Sequence, residues 1–231
     1  MKALTACLIA LWIFAAAPAH AQSSPVVVEL YTSQGCSSCP PADAILKKLA
    51  ERDDVIALAL HVDYWDYIGW ADIFADPVYT TRQKGYAQAG GRRMIYTPQM
   101  IIDGQDDVVG AKPMEVVDLI RRHSEKTRPV ALQIQRSGDR VVITAQTTSD
   151  NGPMVVQMVR FTPLQAVEIT RGENRGKTID YANITHGWTK LADWNGDAPF
   201  EMRTEAPGDD PVVVLVQGSQ YGPILAAAQL R

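Results

Sequence analysis

The chain has 231 residues, with 22 Lys and Arg against 26 Asp and Glu, for a formal charge of −4. That balance, with no basic stripe along the chain, argues against a nucleic-acid partner. Three cysteines are too few for the disulfide framework that staples small exported domains.

Lys2 precedes an apolar run from Leu4 to Ala17, and Pro18-Ala19-His20-Ala21 follows with small residues where a signal peptidase reads. The expectation is cleavage after Ala21 and a periplasmic or secreted mature chain. The run is too short to cross roughly 30 Å of hydrocarbon, so no membrane span is expected after cleavage. Losing Lys2 moves the formal charge from −4 to −5. Cys7 leaves with the same segment, so the mature chain keeps Cys36 and Cys39.

Pro25 to Thr32 reads as a nearly all-apolar strand, the pattern of a strand buried on both faces. After a turn at Ser33-Gln34-Gly35, the segment from Cys36 opens a helix through Ala42, Ile45, Leu46 and Leu49; Pro40 and Pro41 fit its first turn. Val55 to Val62 is a second apolar strand, so a right-handed parallel crossover is expected. It brings His61, Asp63, Trp65 and Asp66 to the sheet edge beyond which Cys36 lies. Residues 67–94 read as a mostly helical insertion. Strands at Gln99–Asp103 and through Val108 and Val109 follow, then a helix from Pro113 to about His123. Beyond a linker at Ser124–Pro129 the pattern alternates, at Val130–Gln135, Val141–Thr147, Val155–Phe161, Ala166–Thr170, Phe200–Thr204 and Val212–Gln217, as in an antiparallel sandwich. Residues 172–197 give no clear element, and Glu173 with its flanking arginines reads as a solvated loop.

Closing a two-residue gap constrains the unfolded chain very little, so the Cys36-Ser37-Ser38-Cys39 pair is expected to serve chemistry or a metal. At a helix start the first thiol is expected to be exposed and its thiolate stabilised by the helix dipole and free amides. Cys36 is then the nucleophile and Cys39 the resolving thiol, with no cofactor beyond the redox disulfide. Haem attachment would need His after the second cysteine, where Pro40 stands. A copper site on Cys36, Cys39 and His61 is the metal alternative. Thr97-Pro98 before a central strand is the arrangement that thioredoxin-like proteins place opposite their cysteines, with a cis peptide bond expected at Pro98. Glu29, an acid in an apolar strand, either faces an edge or lies near Cys39 as a proton acceptor. His61, Asp63, Trp65 and Thr97 are candidates for a substrate groove.

These motifs resemble one family. Val27-Val28-Glu29-Leu30-Tyr31-Thr32-Ser33-Gln34-Gly35-Cys36-Ser37-Ser38-Cys39-Pro40-Pro41-Ala42-Asp43 is similar to the secreted bacterial family DUF1223, a domain of unknown function. The similarity continues through His61–Asp66, Tyr96–Met100, Arg171–Gly176 and Gly222-Pro223-Ile224. It implies an α/β thioredoxin-like domain over residues 22–126 followed by an all-β, sandwich-like domain over 127–231. The chain departs from thioredoxins proper in having no tryptophan before Cys36, Ser-Ser between the cysteines, and Glu29 one residue upstream of their buried aspartate. The expected function is a thiol:disulfide oxidoreductase acting on a protein thiol or disulfide partner. The alternatives are a copper-binding protein or metallochaperone, and a binding protein whose disulfide is inert.

Overall fold

The computed structural model describes residues 24–231, so the expected signal segment lies outside the described residues. Strand β1 (Val26–Thr32) leads into helix α1 (Pro40–Leu49) and the parallel strand β2 (Val55–His61). A short 3-10 turn at Asp66–Ile68 and helix α2 (Pro77–Ala89) precede β3 (Gln99–Ile102), β4 (Asp106–Val109) and helix α3 (Pro113–Ser124). There follow β5 (Val130–Ser137), β6 (Arg140–Thr147), the long hairpin β7 (Met154–Ile169) and β8 (Lys177–Trp194), then β9 (Phe200–Glu205), β10 (Val212–Gly218) and β11 (Ile224–Leu230).

Most local elements lie where the periodicity puts them, but their assembly overturns the expected architecture. There is no thioredoxin-like domain with a separate β domain behind it. One mixed sheet of eight strands runs β11-β10-β7-β8-β2-β1-β3-β4, and β5-β6-β9 form a second, three-stranded sheet. The joint is a parallel contact between β2 and β8, where Ala59 is registered with Ile184. The expected β-α-β unit leaves one edge of β2 open, and β8 covers it. An exposed apolar strand edge is a template for pairing, and this chain fills it from its own C-terminal half.

Three layers follow from strand alternation. Val26, Val28 and Leu30 of β1, with Val55, Ala57 and Ala59 of β2, pack under α1 and α3. The alternate residues Val27, Tyr31, Ile56, Leu58 and Leu60 face the other way, joining Tyr79 and Tyr86 of α2 and Val213 and Leu215 of β10. Among the C-terminal strands, Val156, Val212, Val214 and Val216 pack against Val141 and Ile143 of the small sheet. The second core thus spans strands from both ends of the chain.

Glu29 sits within that shared core and is fully buried. Both its oxygens are saturated: Oε1 accepts from Arg82 Nη2 at 2.9 Å and Tyr86 OH at 2.7 Å, Oε2 from Arg82 Nε at 2.7 Å and Tyr31 OH at 3.0 Å. Arg82 also donates to Gln217 Oε1 of β10 at 3.1 Å and stacks on Trp188 of β8, its Cζ 3.9 Å from the ring centroid. Removing one partner of a buried ion pair strands the other charge, at a cost of about 3–5 kcal/mol. Arg82→Met is therefore expected to lower urea-measured stability by about that amount. Pairing it with Glu29→Leu should recover most of the loss, because two apolar groups leave no unpaired charge.

Candidate functional site

Helix α1 starts one residue after Cys39, so Cys39 and not Cys36 is the capping residue, with Pro40 and Pro41 in the first turn. Cys36 and Cys39 are joined by a disulfide. Neither is solvent-exposed, which corrects the expectation of an exposed Cys36. Its sulfur is covered by neighbours: Thr97 Oγ1 donates to Cys36 Sγ at 3.4 Å, and Ser38 Oγ lies 3.4 Å away. Ser37 and Ser38 are exposed between the cysteines.

The peptide bond from Thr97 to Pro98 is cis, the isomer expected there. Trp65 Nε1 donates to Thr97 Oγ1 at 2.7 Å, so Trp65, Thr97 and Cys36 form one chain of contacts beside the disulfide. Asp63 is drawn elsewhere, accepting from Thr80 Oγ1 of α2 at 2.5 Å. Glu29 belongs to the opposite face of β1 from α1, and its oxygens are committed to Arg82, Tyr31 and Tyr86, so the expected contact with Cys39 is not made.

His61 is registered opposite Thr32, and strand alternation turns both toward α1. It is fully buried, with Nδ1 2.7 Å from Asp72 Oδ2 and its ring edge-on to Tyr181 and Phe74. Among the described residues no group of three or more His, Cys, Asp or Glu side chains is arranged to hold a metal ion. The copper arrangement of Cys36, Cys39 and His61 is accordingly not found.

Two residues that shape this geometry are not among the candidates the sequence singles out. Asn174, between β7 and β8, is buried, and its Nδ2 donates to the carbonyls of Gln34 and Cys36, each at 2.9 Å. Around it Arg171 and Arg175 are exposed, as expected of a solvated loop. Asp43 lies on the first turn of α1, buried, accepting from Thr32 Oγ1 at 2.8 Å. Burial pushes its carboxyl up to about 7, against the opposing pull of His61 and the Thr32 hydrogen bond. Its four-residue spacing from Cys39 is the sequence signal that could have singled it out.

Asn174→Ala would take the side-chain donor from the buried Gln34 carbonyl and leave the Cys36 carbonyl with the Cys39 amide alone, so a loss of about 1–3 kcal/mol is expected in urea unfolding. For Asp43 the sign follows from linkage. An ordinary unfolded carboxyl titrates near ~3.9, so between about pH 4 and 7 the folded state holds a proton that the unfolded state has released. Wild-type stability contributed by this group therefore falls as pH rises through that window. Asp43→Asn is expected to remove the dependence, so the variant gains on wild type from pH 4 to 7 by up to ~4 kcal/mol. Paired unfolding curves across that range provide the check.

The crystal structure of an Agrobacterium tumefaciens protein is similar over 91% of this chain and 96% of its own, at 33% identity and a TM-score of 0.77. HBP35 of Porphyromonas gingivalis is similar in fold, at 15% identity and a TM-score of 0.63, over 90% of this chain and 75% of its own. No curated protein matches the sequence. The model of DUF1223, a protein of unknown function, matches residues 27–217, and the chain belongs to that family.

Proposed function

We propose that Cys36 and Cys39 form a reversible disulfide that exchanges with thiol or disulfide partners outside the cytoplasm. The observation that carries this reading is the support built around a cross-link of negligible entropic value. Cys36 Sγ accepts from Thr97, and its carbonyl accepts from Asn174, across 61 and 138 residues of sequence. A structural staple bridging two intervening residues needs no such support. An N-terminal segment with export character fits a compartment where disulfides persist.

In the exchange, a partner thiolate attacks Cys36 Sγ, the Cys36–Cys39 bond breaks, and Cys39 leaves as a thiolate. The partner's second thiolate then attacks its own sulfur in the mixed disulfide and releases Cys36. The protein gains two electrons and two protons, and the partner becomes a disulfide. The reverse sequence oxidises a dithiol partner. Cys36 is assigned as the attacked sulfur because its Sγ lies against the Thr97 hydroxyl and the exposed Ser38, whereas Cys39 caps α1. Trp65 and Thr97 border the point where a partner chain would meet it.

A second reading, a binding protein with an inert disulfide, is favoured by the burial of Cys36. Equilibration of the protein lacking residues 1–21 with glutathione buffers separates the two. Exchange predicts a reversible transition between about −120 and −270 mV. A pair still oxidised below about −300 mV behaves as a structural disulfide, and the exchange reading would be abandoned.

A further inference from the structure

A groove of about 480 Å³ starts at the cysteine pair and is lined by none of Trp65, Thr97 and Pro98. One wall is Pro40, Ala44 and Lys47, which fall on a single stripe of α1. Pro40 follows Cys39 directly. The other wall is Lys177, Thr178, Ile179 and Asp180 of β8. Successive side chains of a strand point to opposite faces, so a groove that meets four residues in a row runs along the strand's edge and not over one face. No residue of β7 lines it, so the edge is the one turned away from β7. That edge is open: over Lys177–Ala182 the strand pairs with β7, while β2 is registered with β8 at Ala59 and Ile184. An open edge offers unpaired N–H and C=O groups, which an added extended chain satisfies. Three strand steps and seven helix steps both span about 10 Å, so the two walls match in length and hold three or four extended residues.

The charge at this place is opposite in sign to that of the chain. From Arg171 to Lys177 there are three cations against Glu173 alone, in a chain of formal charge −4. Arg171, Arg175 and Lys177 are all exposed. Lys47 is offset by Asp180, with Nζ 2.6 Å from Oδ2. Lys177 instead donates to the neutral Asn174 Oδ1 at 2.8 Å, which leaves its charge uncompensated. Asn174 also holds the Cys36 carbonyl at 2.9 Å, so the cationic turn is anchored to the disulfide that it flanks.

Resting on the exchange reading, we propose that this groove docks the partner polypeptide as an extended, acidic segment laid along the open edge of β8, with the partner's cysteine at Cys36. Backbone hydrogen bonds to β8 set the segment's register. Carboxylates beside the partner's cysteine meet Lys177, Arg175 and Arg171. Such a cationic patch gathers acidic partners and turns basic ones away, chiefly through the rate of encounter. The bonds made and broken are those of the exchange itself, and docking adds none.

The test uses the protein lacking residues 1–21 and dithiol peptides of one length whose cysteines are flanked by acidic, neutral or basic residues. Reduction of the Cys36–Cys39 disulfide is stopped by alkylation and read by mass. Each rate is divided by the reductant's thiolate concentration and then by the rate of the same protein with dithiothreitol, an uncharged reductant. At low ionic strength the acidic peptide is expected to outpace the basic one by at least about tenfold, and added salt should close most of that gap. Arg171→Glu combined with Arg175→Glu should reverse the order. Ala44 is exposed on the helix wall, and Ala44→Trp, which fills the groove, should slow all three peptides relative to dithiothreitol. Equal rates for the acidic and basic peptides at low salt, or peptides that Ala44→Trp does not slow, overturn the docking site while exchange with dithiothreitol stands. A wild-type disulfide reduced neither by dithiothreitol nor by any peptide overturns the exchange reading, and the docking site with it.

Discussion

A carboxylate with no access to water must find its hydrogen bonds in the protein, and Glu29 requires four at once. The donors come from Tyr31 beside it and from Arg82 and Tyr86 of α2, while Arg82 is fixed in turn by Gln217 and Trp188 of the C-terminal strands. Satisfying one acid in β1 therefore docks the helical insertion and orients the second half of the chain against the first. Gln217 continues the chain of contacts to Gln157 at 2.9 Å and to the Gly222 carbonyl at 2.8 Å. A buried pair of this kind adds less to stability than its contacts suggest, but it tolerates few alternative packings. The single eight-stranded sheet is the packing in which every one of these groups is paired.

The same strand serves two different surroundings by simple alternation. Its residues directed away from α1 include Glu29 and Tyr31, tied into the closed network. Those directed toward α1 end in Thr32, registered with His61 and bonded to Asp43. Shifting the register by one residue would exchange these sets, so the acid at position 29 and the hydroxyl at position 32 hold each other's places. The cysteines sit just past the end of this strand, where the side chain of Asn174 from the β7–β8 hairpin reaches back to hold the turn.

Local periodicity makes the strands and helices of the first half legible, including the first turn of α1 through its two prolines and the cis bond at Pro98. Loop length alone gives the cysteine pair little entropic value as a staple. What periodicity does not carry is pairing at long range. The β2–β8 contact joins Ala59 to Ile184, and no local pattern announces it. Strand β8 is itself hard to read because polar and small residues break its alternation around Asn183 and Gly187, both at positive φ. Strand β11, rich in alanine, gives too weak a hydrophobic signal. Glu29 is legible as an acid in search of a partner, but the choice between Cys39 and another group depends on which face of β1 meets which helix. Asp43 and Asn174 are short polar residues, and the contacts that distinguish them, with Thr32 and with the Gln34 and Cys36 carbonyls, are made only in the folded chain.

If the pair exchanges as proposed, the cover over Cys36 bears on selectivity. A sulfur wrapped by the Thr97 hydroxyl and the Ser38 side chain is a poor target for random collision, because an attacking sulfur needs an open line along the S–S axis. On that reading, a partner that competed for the Thr97 hydroxyl, or lifted Trp65 away from it, would clear that line, whereas a small thiol would have to wait for the cover to open. Discrimination among partners would then be exercised kinetically, at the moment of approach, and two reagents of equal reducing power could differ widely in how fast they are accepted.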